Sequence, residues 1–292
     1  MHIASFLHEQ RPGWGIVTER GIVERHGLPP SLIELLGDAS AQAPHLLSEL
    51  RAQTPSLRLD EVQLLAPIPR PRKNIICLGL NYLAHAQESL AAKGTAMQIN
   101  EDPVVFTKNV TAVTGPYADV MRDPRVTEQL DWEAELAVVI GRGGRFIEPA
   151  EALQHVFGYT VLNDLSARDL QFRHKQYFLG KSLDGGCPMG PWIVTADEIP
   201  DPQTLNIACR VNGVVKQHAN TSQQRFDVAT TIAILSRIMT LEPGDIIATG
   251  TPEGVGFARK PPEFLRPGDV VECEIERIGS IRNRIIGPRE SA

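Results

Sequence analysis

Three carboxylates, an imidazole and an amine stand along this chain where their types and spacing could do chemistry. In DWEAELAVVIG, Glu133 and Glu135 are two apart in a run that reads as a strand, so both side chains leave one face of it. Two anions side by side repel unless a cation sits between them. Alternation with Trp132, Ala134 and Leu136 is equally the pattern of an ordinary strand with one solvent face, and the pair alone favours that plainer account. Asp164 ends a second strand-like run, GYTVLND, where a helix N-cap explains it as well. Brought together, the three would make a hard oxygen site suited to Mg²⁺ or Mn²⁺, with Ca²⁺ also accommodated and zinc less suited.

The imidazole is His85, in LNYLAHAQES, three residues before Glu88 at what reads as the first turns of a helix. A carboxylate bonded to an imidazole fixes its tautomer, as a general base requires, although an isolated H-x-x-E is more often a surface contact. The amine is Lys181, in FLGKSLDGGCPMGPW, where a sharply bent backbone would carry a cation able to offset surplus negative charge; an exposed loop lysine is the bland alternative. A phosphate loop is excluded, because G-x-x-x-x-G-K-[ST] needs glycine where Lys175 stands. In GDIIATGTPEGVG a strand runs into a Gly-rich turn at Thr249 and Thr251, which reads either as a backbone nest for a carboxylate or as a structural turn.

These residues need elements to hold them. Short β-branched runs separated by turn signals recur after residue 67: NIICLG, PVVFTK, ELAVVIG, GYTVLND, PWIVTA, NIACRV, DIIATG, DVVECEIE and IRNRII. Asn212-Gly213 is the strongest hairpin signal among them. Helical patterns are few: the stretch after Asn81, EPAEALQHV, SARDLQFRHKQ and DVATTIAILSRIM. The expectation is a β-rich α+β chain, a sandwich or rolled sheet with peripheral helices. Residues 1–66, with IASFL, WGIVT, GIVER and two helical patterns, read as a small N-terminal α+β domain; the prolines of LLAPIPRPRKN mark a boundary before a catalytic domain over 67–292.

A chain of 292 residues, 42% hydrophobic, can bury a large core, and a net charge of -6 argues against a nucleic-acid or anionic-membrane surface. No apolar run approaches the ~20 residues of a membrane span, and the start lacks a signal-peptide pattern, so a cytoplasmic protein is expected. The four cysteines lie far apart and read as buried free thiols.

NYLAHAQE, DWEAELAVVIG, NDLSARDLQ, GKSLDGGCPMGPW and GDIIATGTPEGVG, in this order, resemble the C-terminal catalytic domain of the fumarylacetoacetate hydrolase superfamily, and in particular its shorter acylpyruvase and oxaloacetate decarboxylase-like members. The resemblance implies a mixed β-sandwich roll, usually a homodimer. It implies Glu133, Glu135 and Asp164 as ligands of Mg²⁺ or Mn²⁺. His85 and Glu88 become a catalytic pair on a lid over residues 84–100, and Lys181 an active-site lysine. Arg168, Gln171 and Thr251 match positions that contact substrate or shape the pocket. The implied reaction is metal-dependent hydrolysis of a C–C bond in an acylpyruvate-type 2-oxo acid, through a metal-stabilised enolate. Oxaloacetate decarboxylation and 2-hydroxy-dienedioate isomerisation are alternatives on the same scaffold, and a non-catalytic ligand-binding descendant is a remote one. NIICLGLNY has no acidic residue where longer members carry a further aspartate ligand, so fumarylacetoacetate itself is not the expected substrate.

Overall fold

The computed structural model describes residues 1–24, 31–37, 43–92, 94, 101–173 and 175–288. Its principal strands are β1 (His2–His8), β2 (Arg11–Thr18), β3 (Gly21–Glu24), β4 (Ile75–Gly79), β5 (Val104–Lys108), β6 (Ala134–Ile140), β7 (Val156–Asn163), β8 (Cys187–Thr195), β9 (Asn206–Val211), β10 (Val214–Asn220), β11 (Ile246–Ala248), β12 (Val270–Ile275) and β13 (Gly279–Ile286). A large mixed sheet runs β3-β2-β1-β8-β7-β6-β11-β4-β5, and a second runs β10-β9-β12-β13. The two pack face to face as the sandwich expected from the sequence.

Strand β6 shows why the interior forms as it does. Every residue of AELAVVI is buried. Leu136, Val138 and Ile140 join a cluster with Ile207, Val271 and Ile281 of the second sheet. Ala137 and Val139 join a separate cluster with Ile3, Ile193 and Leu35 on the opposite face. A strand between two cores is apolar on both sides, so the solvent-facing account of Glu133 and Glu135 fails. The hairpin at Asn212-Gly213 forms, with φ of 52° and 78° at the two central residues, the positive pair a type I′ turn demands.

The helices are α1 (Leu32–Gly37), α2 (Ala43–Arg51), α3 (Leu83–Ala92), α4 (Pro149–Ala152), α5 (Arg168–Arg173), α6 (Phe178–Lys181) and α7 (Val228–Ile238). α4 and α5 are shorter than their sequence patterns: EPAEALQHV passes into a 3₁₀ turn at Leu153–His155 and then into β7, because Val156 is drawn into the sheet. Strands β1–β3 do not stand apart from the rest; β1 pairs with β8, Ile3 opposite Ile193, and carries the large sheet onward.

Candidate active site

β6 and β7 are antiparallel neighbours, with Ala134 opposite Asn163 at the end of their ladder. Glu133 lies one residue before β6 and Asp164 one residue after β7; the Asp164 N–H donates to the Glu133 carbonyl at 2.8 Å, and the Glu133 N–H to Asn163 Oδ1 at 3.0 Å. Glu135 sits within β6 on the same face as Glu133. The register therefore converges the three carboxylates, with one oxygen of each within 4.8 Å of the others. Glu133 is 5% exposed, and Glu135 and Asp164 are fully buried.

Three cations answer them. Lys181, at the end of α6, donates to Glu133 Oε2 and Asp164 Oδ2, both at 2.7 Å. Lys108, at the end of β5 and completely buried, donates to Asp164 Oδ1 at 2.7 Å and to the Leu165 carbonyl at 3.0 Å. Arg168, which opens α5, donates through Nε to Asp131 Oδ2 at 2.8 Å and through Nη1 to Gln171 Oε1 at 2.9 Å. Its Nη2 lies 2.7 Å from Glu133 Oε1, an ion pair outside good hydrogen-bond angles.

Asp131, Glu133, Glu135 and Asp164 thus face Lys108, Arg168 and Lys181, four acids against three bases, and the surplus falls on Glu135. Glu135 Oε2 accepts the Gly250 N–H at 2.7 Å, while Oε1 has no hydrogen-bond partner among the described residues. Burial, then the charges of Asp164 and Glu133, push its carboxyl well above the ordinary range. Burial would raise Glu133 too, but Lys181 and then Arg168 outweigh it and hold that carboxyl low. A buried, under-compensated trio of oxygen donors with an orphaned lone pair fits a divalent cation such as Mg²⁺ or Mn²⁺.

The Gly-rich turn after β11 is tied to these acids. Gly250 donates to Glu135, Gly256 and Phe257 donate to Asp131 at 2.7 and 3.0 Å, and Gly254 donates to both oxygens of Glu88 at 3.0 Å. Those four amides serve the protein's own carboxylates, so they do not form the substrate nest that the turn allowed. Thr249 and Thr251 donate to the carbonyls of Leu136 and Ala134, at 2.9 and 2.8 Å, and fix the turn against β6.

His85 and Glu88 meet on α3, with Nδ1 3.0 Å from Glu88 Oε1; Nε2 faces Ser89 Oγ at 3.5 Å. Residues 93 and 95–100 of the expected lid lie outside the described residues. A small cavity of ≈ 30 Å³ is lined by His85, Glu133, Arg168, Gln171, Lys181 and Thr251 together with Phe106, Phe172, Tyr177 and Phe257. Glu88, Glu135 and Asp164 do not line it. Lys108 and Asp131 escaped sequence reasoning; Asp131 could have been found, since D-x-E-x-E places it in the same alternation as the two glutamates.

A family model described as fumarylacetoacetate (FAA) hydrolase C-terminal matches residues 74–286, and one described as Rv2993c-like, N-terminal matches residues 1–67. The chain is 47% identical over 275 residues to oxaloacetate tautomerase YisK of Bacillus subtilis (strain 168), covering 91% of this chain and 90% of that protein. It is 44% identical over 261 residues to the mitochondrial oxaloacetate tautomerase FAHD2A of Homo sapiens, covering 89% and 81% respectively. Among solved structures, maleylpyruvate hydrolase from Sphingobium sp. SYK-6, in complex with manganese(II) and pyruvate, superposes with a TM-score of 0.79 at 30% identity, covering 99% of this chain and 100% of that one.

Proposed function

The chain belongs to the fumarylacetoacetate hydrolase superfamily, and from that membership and the geometry of the site we propose that it interconverts the keto and enol forms of a small 2-oxo acid, oxaloacetate foremost. The observation that carries this reading is the His85–Glu88 pair beside the buried carboxylates: tautomerisation needs one oriented base and no attacking water. The tautomerase relatives support it.

Glu88 accepts from His85 Nδ1, which leaves Nε2 as the basic nitrogen at the cavity. His85 takes a proton from carbon 3 of the keto acid, and return of a proton to the carbon 2 oxygen completes the enol. Lys181 places fixed positive charge where the enolate oxygen develops negative charge. Arg168 and Gln171 receive the distal carboxylate, and Thr251 shapes the wall behind it. Glu133, Glu135 and Asp164 would hold the metal, which when bound supplies Lewis-acid polarisation of the 2-oxo group. The reading includes a cytosolic homodimer.

Hydrolysis of an acylpyruvate, first in the sequence reading, becomes second; the manganese- and pyruvate-bound maleylpyruvate hydrolase supports it. The test follows enol oxaloacetate by its ultraviolet absorbance with Mg²⁺ or Mn²⁺ and with chelator, and assays pyruvate from oxaloacetate and acylpyruvates in parallel. Metal-dependent loss of enol without pyruvate, abolished in His85→Ala and Glu135→Ala, is expected. Pyruvate release outpacing enol loss replaces tautomerisation with cleavage.

A further inference from the structure

Glu88 has a second partner whose role the reaction leaves unexplained. Besides His85 Nδ1, it accepts the Gly254 N–H on both carboxylate oxygens, each at 3.0 Å, across 166 positions of sequence. The neighbouring Gly254 carbonyl is held as well: Trp132 Nε1 donates to it at 3.2 Å and Arg259 Nη1 at 3.4 Å. Trp132 lies between Asp131 and Glu133 and is almost wholly buried. Gly254 has φ of +99°, and a Cβ there would lie 2.0 Å from the Lys216 carbonyl oxygen, so the position accepts only glycine.

We propose that Gly254 is a positioning residue: its N–H latches α3 through Glu88, and Trp132 fixes the latch to the segment that enters β6 and carries Glu133 and Glu135. An unbroken line of contacts then runs Glu133, Trp132, Gly254, Glu88, His85. The base is set at a defined distance from the carboxylate trio by main-chain geometry rather than by α3 alone. Without the latch, α3 keeps only the packing of its buried face, and a displacement of about 1 Å at the base costs on the order of 10²-fold in rate. The inference rests on His85 being the base, but the latch itself is structural and can be read without turnover.

Gly254→Ala is uninformative because the fold has no room for it, so three other variants carry the test. Trp132→Phe removes the indole N–H and keeps most of the ring. Glu88→Gln keeps an oxygen for the Gly254 N–H but presents an N–H to His85 Nδ1, moving the ring proton to Nε2. Glu88→Ala removes both contacts. Hydrogen exchange of amides 83–92 is measured in the manganese-loaded protein, with Mn²⁺ affinity by calorimetry and tautomerase kinetics. Exchange is expected to accelerate in Trp132→Phe and Glu88→Ala and to stay slow in Glu88→Gln. Mn²⁺ affinity stays within about twofold throughout, and kcat in Trp132→Phe falls roughly 10–100-fold with KM little changed. Unchanged exchange in Trp132→Phe and Glu88→Ala overturns the latch. Should the exchange pattern hold while the wild type leaves enol oxaloacetate untouched, the latch stands and the tautomerase reading falls.

Discussion

Lys108 is the only one of the three site cations whose contacts are confined to a single carboxylate and a main-chain carbonyl. It has no exposure at all, so its ammonium is tolerable only because Asp164 accepts from it. Removing one member of such a buried pair leaves an uncompensated charge. Lys108→Met is expected to destabilise the protein by about 3–5 kcal/mol in chemical denaturation, with part of the loss restored by Mn²⁺, which supplies positive charge to the same cluster. No loss of stability would mean that Asp164 is adequately held by Lys181 alone. Nothing in PVVFTK announced this role: a lysine closing an apolar strand has no partner at any telling spacing, and Asp164 lies 56 residues away. Glu133, Glu135, Asp164, His85, Glu88 and Lys181, by contrast, each stood in a short motif, and their order along the chain made them legible together.

Strands were legible because their signal is local. β6 advertised itself through AELAVVI, and the Asn212-Gly213 turn through backbone chemistry that few residue pairs supply. What the sequence could not show was which strand is central: Glu133 and Glu135 alternate with apolar neighbours just as they would on a strand with one solvent face, and only the cores on both faces of β6 remove that option. The short helices failed for a related reason, since pairing of Val156 in the sheet ends a pattern that would otherwise continue. The hairpin offers a clean measurement at this scale. A Cβ on Gly213 meets nothing within 4 Å, so substitution there is opposed by conformation alone. Gly213→Ala should cost about 1–2 kcal/mol in thermal or chemical unfolding; a neutral result would show that the turn relaxes to another type.

At the scale of the whole molecule, β1–β3 are part of the large sheet. β1 covers the edge of β8, and Ile3, Trp14, Ile16 and Val23 contribute to the cluster that also holds Ala137, Val139 and Ile193. Deletion of residues 1–66 bares a strand edge and that apolar surface together, a combination that promotes association between chains. The truncated protein is expected to bind a hydrophobic dye and to aggregate on light scattering, while a monodisperse, fully active truncation would show that 67–292 folds unaided.

The contact between Gly254 and Glu88 joins chain segments 166 positions apart, and Lys108 to Asp164 spans another 56. The three carboxylates share one antiparallel pair, β6 and β7, whereas the cations that answer them, Lys108, Arg168 and Lys181, come from other elements. Closing the connection between β6 and β7 brings the carboxylates together, while Lys108 and the Gly254–Glu88 contact need closure over much longer stretches of chain. Metal therefore favours every state in which β6 and β7 are paired, and the native state most of all, because there the trio is also buried. Added Mn²⁺ is expected to slow unfolding in stopped-flow measurements, and faster refolding with Mn²⁺ would show that the β6–β7 pair forms before the rest of the fold.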